Sequence, residues 1–151
     1  MSPGKSKHAT DRMGVYKRLD DVSDRHRLHH HADAYEGRDV WHEYLTDHLY
    51  PDGDIPQKKH RFGDRWKDHT SEQGRHHALA TPEDVETYSV SLLDQYAIYT
   101  AAKYWTNIER FYGWLQEHTE HPHLYHPFLM AADEYDAAGR IWDQKVRRTQ
   151  S

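Results

Sequence analysis

The sequence contains no cysteine. That absence excludes disulfides, a thiolate nucleophile, and zinc or iron–sulfur sites built on thiolates. No run approaches the roughly 18 consecutive apolar residues needed to span a bilayer, and the polar stretch from Met1 to Thr10 has no hydrophobic segment of a secretory signal. A cytoplasmic protein with no membrane partner is therefore expected. Apolar residues are scarce at 36%, so a core must draw on the 13% that are aromatic, with 5 Trp and 11 Tyr among them. The 151 residues leave room for one compact domain with tails.

Positive charge is also short. Lys and Arg number 20 against 25 Asp and Glu, a net −5. That is the wrong overall sign for a binder of polyanions, so any DNA surface must be local. Protonating all 15 histidines would carry the formal charge from −5 to +10. Asp exceeds Glu by 16 to 9 and Arg exceeds Lys by 12 to 8, a balance that suits a salt-adapted cytoplasm.

Charge is distributed unevenly along the chain. From Leu19 to Asp54, ten acidic residues face Arg25, Arg27 and Arg38, a local −7. From Lys58 to Arg75 the sign reverses to +3: Lys58, Lys59, Arg61, Arg65, Lys67 and Arg75 outnumber Asp64, Asp68 and Glu72. The turn-rich segment from Pro51 to Pro56 separates the two. Residues 1–37 read as a polar, His-rich tail that adds little core. Residues 38–57 read as a short helix and a Pro/Gly linker, 58–132 as the main helical domain, and 133–151 as a C-terminal helix and tail.

Helix signals dominate, and no stretch alternates in the manner of a strand. Asp39 is placed to cap a helix carrying Val40, Trp41, Tyr44, Leu45 and Leu49, ended by Pro51. A basic helix from about Pro56 to Gln73 carries Phe62 and Trp66, with Gly74 as its left-handed terminator. Thr81-Pro82-Glu83-Asp84 is the sharpest start signal: a hydroxyl cap, a proline whose missing N–H costs nothing, then carboxylates at the positive helix end. The next helix is expected to begin at a Thr100 cap and to bury Tyr104, Trp105, Ile108, Phe111, Tyr112 and Leu115. Phe128 to Arg148 is helical in pattern, with an interruption at Gly139. The expected fold is all-α, a small bundle of four to five helices with a poorly structured N-terminal tail.

On the helix from Thr100, Thr100, Lys103, Asn107 and Arg110 share the face away from the aromatic stripe. A hydroxyl, an amide and two cations are the donors a helix needs against phosphates and base edges. The competing reading is the solvated side of an ordinary amphipathic helix.

The order of these features from Lys58 to Ala132 resembles the N-terminal core-binding (SAM-like) domain of tyrosine recombinases of the phage-integrase type. The basic helix, the Thr81 cap, Leu92 and Leu93, and the Thr100 start carry the resemblance. So do the close Phe111-Tyr112-Gly113-Trp114-Leu115 and the proline-bearing turn from His121 to Pro127. The resemblance implies a module that clamps one side of double-stranded DNA in integration or recombination. Its candidate contacts are Lys58, Lys59, Arg61, Arg65, Lys67, Arg75, Thr100, Lys103, Asn107 and Arg110. His76 and His77, beside Arg75, join them as groups that touch phosphate when protonated, which implies tighter binding at pH 6 than at pH 8. A recombinase catalytic domain does not fit in Asp133 to Ser151, and no His-x-x-Arg occurs. The expectation is thus a non-enzyme: a catalytically incomplete integrase-like protein or accessory factor, partnered by DNA and by a separate catalytic chain or itself. The alternative is a His-rich scaffold or interaction protein with weak metal binding.

Three histidine clusters, His29-His30-His31 with Asp33, His76-His77, and His121-x-His123-x-x-His126, raise the question of a metal. No carboxylate or cysteine completes a ligand set by spacing alone, so no metal and no cofactor are assigned from sequence.

Overall fold

The computed structural model describes residues 8–150, with side chains through residue 147. Helices form where the caps direct them. Thr81 Oγ1 accepts from the Asp84 N–H at 3.1 Å while Asp84 Oδ2 accepts from the Thr81 N–H at 2.9 Å, a reciprocal capping box that starts α4 (Pro82–Gln95). Asp39 Oδ1 accepts from the His42 N–H at 3.0 Å and starts α2 (Val40–Tyr44). That helix widens into a π-turn over Leu45–Leu49 just before Pro51. A basic helix, α3 (Gln57–Glu72), stops where Gly74 turns to φ +73°. The others are α1 (Ala32–Tyr35), α5 (Ile98–Glu117), α6 (Pro127–Glu134) and α7 (Asp136–Gln150). Among the described residues there is no strand, and no helix is long and apolar enough to cross a membrane.

The fold is the expected all-α bundle, with α3 to α7 as its body. Three details differ from the sequence reading. Thr100 is no cap: α5 starts at Ile98 from Ala97, leaving Thr100 exposed in its first turn. The break near the C-terminus falls at Tyr135, between α6 and α7. Gly139 lies inside α7, where a Cβ would approach the Ala132 carbonyl to 3.1 Å, so the glycine serves the tight α6/α7 crossing. The third correction concerns the N-terminal segment. Its described residues hold short 3₁₀ turns and the single turn of α1, and they add to the core: Ala9, Met13, Val22, Leu28 and Tyr35 are all buried, because this stretch wraps over the bundle and covers it.

The core is built from rings. Trp66 and Trp105 are completely buried, and Phe128 bridges them with centroids 5.0 and 5.2 Å away. Such pairs contribute about 0.5–1.5 kcal/mol each beyond their buried area. Polar tips find partners: Trp105 Nε1–H donates to Ser89 Oγ at 3.1 Å, and Trp66 Nε1–H to the His77 carbonyl at 2.8 Å. The Tyr112 hydroxyl donates to that same carbonyl at 2.8 Å and accepts from the Ala80 N–H at 3.0 Å. These bonds satisfy the buried backbone of the connection between α3 and α4.

One crossing bears directly on the site. Trp41 of α2 lies across α3 at Gly63, where an added Cβ would overlap the indole ring. The indole Nε1–H donates to the Lys59 carbonyl at 3.2 Å. The absent side chain at Gly63 thus lets α2 brace the leading end of α3, which carries Lys58, Lys59 and Arg61.

Candidate nucleic-acid interface

α3 and α5 pack side by side, with Phe62 and Tyr104 edge to face at 4.8 Å beneath their outer surfaces. Above this pair runs an open groove of about 710 Å³. Lys58, Lys59 and Arg61 line it from α3, Thr100, Lys103, Asn107 and Arg110 from α5, and Lys145 from α7. Among the described residues, no aspartate or glutamate lines it. Seven of the twelve sequence candidates therefore converge: Lys58, Lys59, Arg61, Thr100, Lys103, Asn107 and Arg110.

The groove's electrostatics follow from its membership. Lys59 is half-buried; desolvation first, then the nearby Arg110 and Lys58 cations, lower its ammonium below the usual lysine value. Its Nζ donates to Asn107 Oδ1, and Asn107 Nδ2 donates to the Lys103 carbonyl at 2.8 Å. Both ends of the Asn107 amide are therefore occupied. It shapes the groove wall, with one lone pair of Oδ1 and one N–H of Nδ2 left over. Lys103, Arg110, Lys58 and Arg61 stay exposed. Lys103 and Arg110 lie seven residues apart on one face of α5, about 10.5 Å along the axis at 1.5 Å per residue.

Lys145 was not legible as a site residue. It extends from α7 with its Nζ paired to the buried Glu109 carboxylate, and burial lowers its ammonium against the raising effect of Glu109. The available signal was its register: Lys145 shares a stripe with Ile141, Trp142 and Val146, all buried. A cation on an apolar stripe needs a partner.

The remaining candidates lie elsewhere. Arg65 donates to Ser91 Oγ at 2.8 Å and covers the Tyr96 ring at 5.3 Å, in a second groove between α3 and α4 that also holds Asp64, Asp68 and Glu72. Lys67 pairs with Asp39 at 2.7 Å. Arg75 pairs with the capping carboxylate of Asp84 at 2.6 Å.

The histidine expectation is corrected. His77 is buried, its Nε2 accepts from the Trp41 N–H at 3.2 Å, and desolvation, aided by His76 and Lys67, lowers its pKa to about 3. His76 is half-buried against the Arg38 carbonyl at 2.8 Å, and burial lowers its pKa as well. His77 therefore stays neutral at pH 6, and the His76 ring is turned to the Arg38 carbonyl. The His121 cluster is likewise committed to structure. His123 Nε2–H donates to the Ala78 carbonyl at 2.6 Å, His126 Nε2–H to the Glu109 carbonyl at 2.9 Å, and His121 bonds the Tyr35 hydroxyl. These imidazoles do not converge on one point.

No protein-family model matches the chain, and neither a curated protein nor a solved structure matches it.

Proposed function

We propose that this protein binds double-stranded DNA through the groove between α3 and α5, holding the sugar–phosphate backbone. In this reading it is a DNA-binding module like the integrase core-binding domain that it resembles, and no reaction is assigned to it. One observation carries the proposal: in a chain of net charge −5, five cations from α3 and α5 surround one groove, with Lys145 beside them paired to Glu109, and among the described residues no carboxylate lines it. Mutual repulsion of that kind weakens a fold unless a polyanion relieves it.

Two details favour duplex backbone over other polyanions. The Asn107 amide is internally bonded, which favours phosphate contacts over base reading. The aromatic rings at the groove floor are used by each other, since Tyr104 packs against both Phe62 and Tyr96. A single strand would find no free ring on the groove floor on which to stack its bases.

The test is fluorescence anisotropy with a short labelled duplex over a salt series. With four or five phosphates held, log K should fall against log salt with a slope of about −4. Lys103→Glu with Arg110→Glu should abolish binding. Duplex affinity that survives both reversals, or a single strand that binds as tightly as the duplex, removes the reading.

A further inference from the structure

A different site lies in the N-terminal wrap, at the turns Asp24–His26 and Leu28–His31. Their placement is fixed from below. The Arg27 guanidinium donates to the Val22 carbonyl at 3.2 Å and the Leu19 carbonyl at 3.1 Å. Leu28 is buried, and its N–H donates to the Tyr125 hydroxyl at 2.9 Å. Anchored on both sides of the peptide joining Arg27 to Leu28, the chain folds back so that His29 and His30 face Asp24.

The two imidazoles take separate oxygens of one carboxylate. His30 Nε2 is 2.8 Å from Asp24 Oδ2, and His29 Nε2 is 3.7 Å from Asp24 Oδ1. Their ring centroids lie 4.1 Å apart at 39°. All three ligand atoms fall within 4.8 Å of one another. Nitrogen and oxygen donors bound at about 2.0–2.2 Å lie up to about 4.2 Å apart around one ion, so a small rotation of these exposed side chains closes the set. The sequence pattern had associated this run with Asp33; the fold supplies Asp24 instead.

Two adjacent rings on one carboxylate exceed what a single ion pair uses. The donor set is borderline in softness, which suits zinc, nickel or copper(II) and disfavours magnesium and calcium, whose sites are made of oxygen. All three residues are exposed, so coordination positions remain open to water or an outside ligand.

We propose that Asp24, His29 and His30 bind one divalent transition-metal ion of the zinc class, which clamps the Asp24–His26 turn to the Leu28–His31 turn. The site is independent of the DNA groove.

Calorimetric titration of the full chain with Zn²⁺ at neutral pH tests it. One ion should bind with micromolar affinity and raise the melting temperature. His30→Ala and Asp24→Asn should each weaken binding by at least about tenfold and remove the thermal shift. Both positions are exposed, so the metal-free variants should melt as the parent does. His118→Ala, at a histidine outside the cluster, should leave binding unchanged. Affinity unaltered by the Asp24 and His30 changes, or weak uptake of several ions, overturns the proposal.

Discussion

The groove between α3 and α5 and the core behind it are both rich in groups that can carry positive charge, and they treat that charge in opposite ways. In the groove, Lys58, Arg61, Lys103 and Arg110 stand exposed to water. In the core, His77, His123 and His126 are stripped of water and held neutral, each with its Nε2 bonded to a backbone group. Desolvation is the leading cause of all three shifts, to pKa values of about 3 for His77 and His123 and about 4 for His126. The contrast teaches that proximity to a basic segment does not make a histidine part of a basic surface. Burial decides first.

The largest expected effect follows from the neutral side of that contrast. These imidazoles titrate near 6.5 in the unfolded chain and near 3 to 4 in the folded one, so between those limits the unfolded state binds more protons. Stability is full above pH 6.5 and is lost as pH falls. By about pH 5 each imidazole costs on the order of 2 kcal/mol, together comparable with the whole stability of a small domain. Urea denaturation at pH 7.5, 6 and 5 should show a steep decline, and a flat profile would break the comparison.

Next in size is the charged side. Lys103→Glu with Arg110→Glu should lower duplex affinity by at least about a hundredfold, whereas Arg65→Glu, in the groove between α3 and α4 where Asp64, Asp68 and Glu72 outnumber the cations, should change it by less than about threefold. Equal losses at the two places would mean that overall charge, not the groove, attracts DNA. A single Lys58→Ala should weaken binding several-fold and reduce the salt slope by about one. Smallest of all is His76→Gln, which should leave the ratio of affinities at pH 6 and pH 8 unchanged, because His76 is committed to the Arg38 carbonyl.

Features that depend on near neighbours in sequence were readable in advance. The caps at Asp39 and Thr81, the Gly74 terminator and the shared face of Lys103, Asn107 and Arg110 all arise within one or two helical turns. What was hidden depends on distant partners. Nothing near Lys67 or Arg75 announces that Asp39 and Asp84 neutralise them, and nothing near Asn107 announces Lys59. Lys145 joins the groove only because α7 packs against α5. The burial of the N-terminal wrap was equally hidden, since Met13, Val22 and Leu28 are isolated apolar residues in a polar stretch and follow no helical period.

The meeting of Trp41 with Gly63 also constrains how this protein can change over generations. A descendant that acquires even a methyl group at position 63 must surrender the indole at 41, and with it the tether on the Lys59 carbonyl. The two positions are expected to be inherited as a couple, and lineages that part them to have reshaped the mouth of the cationic cleft.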